Sequence, residues 1–340
     1  MHHRKQVFAL NRREIVDQIL PGRDKPRRDA GSAFAPVNIA LCKYWGKRDT
    51  NLNLPLTSSL SVSLATLGAE TMVRLREDDY DHFVLNGQDI GPESTAGRRV
   101  IEYLDLFRPT PEIRFAVEST TNVPVAAGVA SSAAGFAALA KALDNLFDWG
   151  LPDRQLSILS RLGSGSACRS VYEGFVEWHA GEAADGMDSY AVPIDCRWPG
   201  FCMALVEISG EQKHIGSREA MARTVATSEF YRQWPERVKN DMAELKTGIE
   251  AKDIQKVGET AEANALAMHA TMLDTRPPIL YWRKETVETM GKIWTLRSDG
   301  LPVYFTMDAG PNVKLIFEQS CRETVEERLS PSKVVMPFDY

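Results

Sequence analysis

The chain has 340 residues, 44% hydrophobic and 25% charged, and its 40 basic and 46 acidic side chains leave a formal net charge of −6. At roughly 150 residues per domain that length points to two domains, and the balance is that of a globular chain, which excludes the disordered and fibrous classes. The acidic total argues against a nucleic-acid binder, a class that is usually basic. Cysteines stand at 42, 168, 196, 202 and 321, an odd number without metal-ligand spacing. They read as free thiols of a reducing, cytoplasmic compartment.

Residues 1–28 hold eight Arg or Lys against three acids and lack the apolar run of a signal peptide. The spacing predicts a solvated N-terminal extension, 1–33, with one short helix over Arg12–Leu20 that Pro21, Gly22 and Pro26 end. A basic tail of this kind would also suit a targeting peptide or a phosphate-rich partner. From Phe34 the pattern predicts a strand over Ala35–Lys43 and half-buried antiparallel strands over Ser59–Ala65 and Glu70–Arg76. A helix over Ser94–Leu106, capped by Ser94, and a strand over Ile113–Glu118 come next. Helices over Ser131–Leu146 and Asp153–Leu162 follow, then strands over Phe175–Trp178 and Met203–Ile208. The second half reads as helices over Ser217–Val225, Ser228–Glu250, Asp253–Met272 and Arg283–Leu296, then short strands over Val303–Met307 and Val313–Phe317. No stretch of 18 apolar residues occurs, so no membrane span is expected. Strands and helices mix without βαβ regularity, which favours an α+β fold. The two domains are placed at 34–195 and 196–340, divided where Pro193, Pro199 and Gly200 cluster.

Several segments carry chemistry. Gly128, Ala130, Ser131 and Ser132 stand in an Ala/Gly-rich stretch between a strand and an apolar helix. Small side chains admit a ligand close to the backbone, and a helix N-terminus offers free N–H groups and a positive dipole end, so the stretch suits phosphate. It lacks the Gly-Lys-Ser/Thr of a Walker loop, and the same composition would serve tight helix packing. Gly163-Ser164-Gly165-Ser166-Ala167-Cys168-Arg169-Ser170 is a glycine-rich turn entering a helix, with an arginine suited to carboxylate or phosphate. Cys168 reads as a buried small residue. Asn38, Lys43, Tyr44 and Lys47 cluster around the end of an apolar strand, where cations would meet a polyanion or simply edge a sheet. Ser217-Arg218 reads more readily as a helix start. Asp308 follows a strand on a Gly310-Pro311 turn, which by itself is an ordinary turn. His269 reads as a packed or cleft-lining histidine on a long helix, and Trp45 and Trp178 as core.

Together these segments resemble the diphosphomevalonate decarboxylases of the GHMP small-molecule kinase superfamily. The resemblance rests on Ala35–Lys47, Pro55–Ser63, Gly128–Leu139, Gly163–Ser170 with Gly174–Trp178, Leu273–Tyr281 and Asp308–Asn312, in family order. The Gly163–Ser170 octet and Lys43-Tyr44-Trp45-Gly46-Lys47 are specific to the decarboxylase branch; residues 1–33 fall outside the match. The resemblance implies a two-domain α+β fold of the GHMP-kinase type, with the active site in the interdomain cleft. It implies ATP and Mg²⁺, the metal bound mainly through phosphates, and the conversion of mevalonate 5-diphosphate to isopentenyl diphosphate. By position it implies that Asp308, Arg169, Lys43 and Asn38 serve the reacting groups. Tyr44, Lys47, Ser164, Ser166, Arg169 and Arg218 would hold the substrate, and Gly128, Ala130, Ser131 and Ser132 the nucleotide phosphates. A homodimer is the implied assembly, with neither nucleic acid nor membrane as partner. Mevalonate 5-phosphate decarboxylation, 3-hydroxyl phosphorylation without decarboxylation, and an inactive scaffold on the same fold are the competing readings.

Overall fold

The computed structural model describes residues 11–20, 22, 24–123, 131–211 and 213–339, with only the backbone of Ser131 given. Helix α1 (Arg12–Ile19) opens the described chain. Asn11 and Glu14 form a capping box there, and Ile15, Val16 and Ile19 are buried. The extension is therefore not simply solvated: its helix puts an apolar stripe into the core.

The first half continues through β1 (Ala30–Cys42), β2 (Lys47–Asp49), β3 (Leu54–Pro55), β4 (Ser59–Arg76), β5 (His82–Leu85) and β6 (Gln88–Asp89). It then runs through α2 (Thr95–Leu104), β7 (Arg114–Thr121), α3 (Ser131–Phe147), α4 (Asp153–Gly163), a 3-10 helix at Gly165–Val171, β8 (Phe175–Trp178) and β9 (Ala191–Pro193). The second half holds β10 (Phe201–Val206), α5 (Ser217–Thr227), a 3-10 turn at Phe230–Gln233, α6 (Trp234–Ala251) and α7 (Ile254–Leu273). It ends with α8 (Lys284–Ser298), β11 (Tyr304–Met307), β12 (Val313–Glu318), α9 (Arg322–Leu329) and β13 (Lys333–Val335).

A seven-stranded sheet occupies the first half, ordered β6-β5-β7-β4-β8-β9 with β1 also paired to β4. The two strands expected at Ser59–Ala65 and Glu70–Arg76 are one continuous β4. Ala65 takes φ 37° inside it, and the register of β1 shifts between Pro36 and Asn38, so a bulge bends one strand between the two expected ranges. Helix α3 lies on β1 and β4 at close range: a Cβ on Gly31 would come within 2.1 Å of the Ala142 carbonyl. The second half carries a four-stranded antiparallel sheet, ordered β11-β12-β10-β13. Helix α7 packs on β1 as well as β11 and β12, so it ties the two sheets together. One apolar cluster runs from Val37 and Leu41 through Met268 to Tyr304 and Ile316. The helix expected over Ser228–Glu250 is instead the 3-10 turn followed by α6, with Pro235 in the first turn of α6. Proline is tolerated there but would remove a hydrogen bond from a helix interior. No helix among the described residues is long and apolar enough to cross a membrane.

Candidate active site

The end of β1, the 3-10 helix, the start of α5 and the loop after β11 converge on one cavity of about 500 Å³. Asn38, Lys43, Tyr44, Lys47, Ser132, Ser164, Ser166, Arg169, Arg218 and Asp308 all line it. Gly128 and Ala130 lie outside the described residues, and Ser131 begins α3.

At one end sits Asp308, its side chain 27% exposed, between two lysines that are each only 2% exposed. Lys43 Nζ donates to its Oδ1 at 3.0 Å, and Lys314 Nζ lies 3.3 Å from its Oδ2. Burial alone would raise the Asp308 pKa; Lys314, Lys43 and Lys213 outweigh it and hold the carboxyl well below the usual carboxylate range. Asp308 is therefore ionised at any physiological pH. Lys43 is brought down to about 8 because burial exceeds the pull of Asp308. His269, buried on α7, places Nε2 3.0 Å from the Asp308 carbonyl and anchors its backbone. Burial lowers this histidine to about 3, so its ring is neutral and donates through Nε2.

Arg169 faces the same cavity and is 2% exposed. Its Nε donates to Ser61 Oγ at 3.0 Å, Nη1 to Ser59 Oγ at 2.6 Å and Nη2 to Asn38 Oδ1 at 3.1 Å. Asn38 is held in turn by donating to Ser170 Oγ at 2.7 Å. The guanidinium is thus oriented from beneath by neutral groups, and no carboxylate of the described chain forms an ion pair with it, so its charge is left for a ligand. The glycine-rich segment is a 3-10 helix, whose three-residue turn puts Ser166 and Arg169 on one face.

The far end is cationic, and α4 organises it. The last carbonyls of a helix lack intrahelical donors and carry the negative dipole end. Here Arg99 and Arg218 both donate to the Gly163 carbonyl, at 3.3 and 3.1 Å. Asn53 donates to the Arg161 and Leu162 carbonyls and accepts from Lys47 Nζ at 2.7 Å. Burial, then Arg218, Arg12 and Arg99, push Lys47 down to about 8. Tyr44 lies edge-on to Trp178, ring centroids 4.7 Å apart, and its buried hydroxyl has no hydrogen-bond partner among the described residues. Gly165 makes room for it, since a Cβ there would sit 2.9 Å from the Tyr44 ring. An orphan hydroxyl beside crowded cations is a site short of an acceptor. A second, apolar cavity of about 350 Å³, lined by Ala69, Phe83, Val100, Val117 and Leu139 among others, shares Arg99 and Ser132 with the first.

Residues 35–191 match the diphosphomevalonate decarboxylase-like N-terminal domain, and residues 203–334 the mevalonate 5-diphosphate decarboxylase C-terminal domain. The chain belongs to the diphosphomevalonate decarboxylase family. It is 35% identical to the diphosphomevalonate decarboxylase of Candida albicans over 87% of this chain and 86% of that one. The mevalonate diphosphate decarboxylase structure from Staphylococcus aureus is 40% identical with a TM-score of 0.84, covering 89% of this chain and 92% of that one. A complex of MDDEF with MVAPP, AMPPCP and magnesium is 39% identical with a TM-score of 0.85, covering 90% and 96%. The two-domain, mixed helix-and-strand GHMP-type fold expected from the sequence is thus the fold of this decarboxylase chain.

Sequence reasoning missed Lys314, Lys213, Arg99 and the anchoring contact of His269. Lys314 had a signal: it is a lone charge in the otherwise apolar run Val313–Phe317. Arg99 and Lys213 stand in ordinary surface-like contexts and had none. Glu262 of α7 pairs with Arg297 at 2.8 Å. Asn264 lies behind the site, accepting from the Lys43 backbone at 2.8 Å.

Proposed function

We propose that the chain converts mevalonate 5-diphosphate and ATP to isopentenyl diphosphate, ADP, phosphate and CO₂. The observation that carries this reading is the polarity of one cavity: Asp308 and an oriented Arg169 at one end, and Lys47, Arg99 and Arg218 at the other. A 3-hydroxy acid has no carbonyl placed to accept the electrons released with CO₂. Transfer of the γ-phosphoryl group to the 3-hydroxyl oxygen makes that oxygen a leaving group. The C3–O bond then breaks with its electrons on phosphate, the C1–C2 electrons form the C2–C3 double bond, and CO₂ departs.

Asp308, held ionised by its lysines, is too weak a base to strip the hydroxyl in advance. It orients the O–H and takes the proton as the phosphoryl group arrives; the flanking lysines then favour release of that proton to solvent, and the re-ionised carboxylate opposes the positive charge that grows at C3. Arg169 grips the substrate carboxylate in line for its loss, with Asn38 and Lys43 supporting the two charged groups. Tyr44, Lys47, Ser164, Ser166 and Arg218 hold the diphosphate. The 128–132 stretch takes the ATP phosphates, and the apolar cavity beside Ser132 takes the base. Magnesium, when bound, offsets phosphate charge. As a hard cation it wants oxygen ligands; the Ser132 hydroxyl stands at the cavity wall, while the carboxylates there, Asp308 and Glu219, are already paired with Lys43 and Lys314 and with Arg223.

Mevalonate 5-phosphate would leave part of the cationic end uncompensated, so the diphosphate is the better match. The deciding experiment incubates the protein with ATP, Mg²⁺ and either mevalonate 5-phosphate or its diphosphate, and measures ADP, CO₂ and the organic product. Equimolar ADP and CO₂ with isopentenyl diphosphate is expected. ADP without CO₂, or faster turnover of the monophosphate, would overturn the reading.

A further inference from the structure

Helix α1 lies outside both matched segments, 35–191 and 203–334, yet it docks on the hairpin that carries Lys47 to the phosphate end of the cleft. Its buried Ile15, Val16 and Ile19 and its capping box pin it in place. Arg12, its first residue, is thereby fixed over the β2–β3 turn, where Nε donates to the Asn51 carbonyl at 2.6 Å. The same hairpin carries Lys47 and Asn53, and Asn53 ties it to the end of α4, where Arg99 and Arg218 share the Gly163 carbonyl. Arg12, Lys47, Arg99 and Arg218 thus form one patch, and the acids that act on it are Asp49 and Glu102. Positive charge still exceeds negative.

Helix stability does not explain Arg12. The first turn of a helix favours acids, so a cation there works against the dipole. Packing does not explain it either, because the side chain is half-exposed and forms no ion pair with any described carboxylate. We propose that Arg12 is part of the diphosphate site: the N-terminal extension supplies a further cation that holds the terminal phosphate and favours a diphosphate over a monophosphate. This rests on the substrate reading given above. The crowding supports it, since Arg12 is among the charges that hold Lys47 down to about 8, and an anion between them relieves that repulsion.

The test uses the full chain with Arg12→Gln and Arg12→Lys. Both variants lose the Nε bond to Asn51; only the glutamine variant loses the charge. Affinity for inorganic pyrophosphate and for mevalonate 5-phosphate is measured by calorimetry, and KM and kcat with mevalonate 5-diphosphate. Arg12→Gln is expected to weaken pyrophosphate and raise KM by about five- to tenfold, with kcat and monophosphate affinity moving less than about twofold; the loss shrinks as salt rises. Arg12→Lys returns both values to within about twofold of the parent. Equal losses in the two variants would assign Arg12 to the Asn51 contact alone. Equal weakening of mono- and diphosphate, or unchanged pyrophosphate affinity, would also overturn the proposal. A parent chain inactive on mevalonate 5-diphosphate would sink the substrate reading only, and the pyrophosphate comparison would still decide this one.

Discussion

Asp308 is set apart by its neighbours. Two buried ammonium groups within 3.3 Å make ionisation obligatory in the free protein, so Asp308 is a weak base and carries negative charge at the cavity wall. Asp308→Asn keeps the shape and loses the charge; turnover is expected to fall by about a thousandfold or more while ATP and substrate still bind, as read by calorimetry beside steady-state rates. A variant within tenfold of the parent would end the assignment. The lysine at the phosphate end makes a second prediction. Lys47 sits near 8 in the free protein, below its ordinary 10.5. A bound anion restores the ordinary value, so binding takes up protons between those limits. Affinity for pyrophosphate is therefore expected to be highest below about pH 8 and to weaken as pH rises past it, and titrations in two buffers of different ionisation heat will count the protons. At this scale the sequence was legible for groups set in dense motifs: Arg169 among Ser164, Gly165 and Ser166, or Tyr44 between Lys43 and Lys47. It was silent on Lys213 and Arg99, whose roles come from residues far away in the chain.

Elements place these groups, and several do so through positions with no room to spare. Gly46 has φ +113°, and a Cβ there would lie 1.7 Å from the Tyr231 hydroxyl, which donates to the Trp45 carbonyl at 2.8 Å. This contact joins the Lys43–Lys47 segment to the 3-10 turn before α6. Gly46→Ala adds backbone strain and displaces Tyr231, so we expect a loss of about 2 kcal/mol or more in denaturant unfolding, together with a higher KM for the diphosphate. Unchanged unfolding would show that the segment is not held as tightly as the packing implies. Most helices matched their sequence patterns because period, cap and breaker agreed, as for Ser94 before α2, whose hydroxyl accepts from Gly97. Strand β4 did not, because the bulge beside Ala65 is created by pairing with β1 and leaves no turn residue to read. Short edge strands such as β6 and β13 escaped for the same reason: pairing, not propensity, makes them strands.

Across the whole molecule, α7 and the shared apolar cluster hold the two sheets so that residues as far apart as Lys43 and Asp308 meet at 3.0 Å. The packing also governs the thiols. Cys42, Cys168, Cys202 and Cys321 are buried, and burial pushes Cys168 and Cys202 up to about 12; Cys196 alone of the five is partly exposed. Alkylation of the native protein near neutral pH is expected to label Cys196 first and spare the others until unfolding, as mapped by peptide mass spectrometry. Early labelling of Cys168 would mean that the floor of the cleft opens. The sequence by itself determined the family's chemistry, because phosphate and carboxylate recognition need particular residue types crowded into short segments. The tertiary structure alone decided the rest, from the cation patch around the end of α4 to the state of Asp308 and the docking of Arg12 on the β2–β3 turn. Those depend on distances between segments remote in the chain, and electrostatic coupling follows distance in space, not separation in sequence.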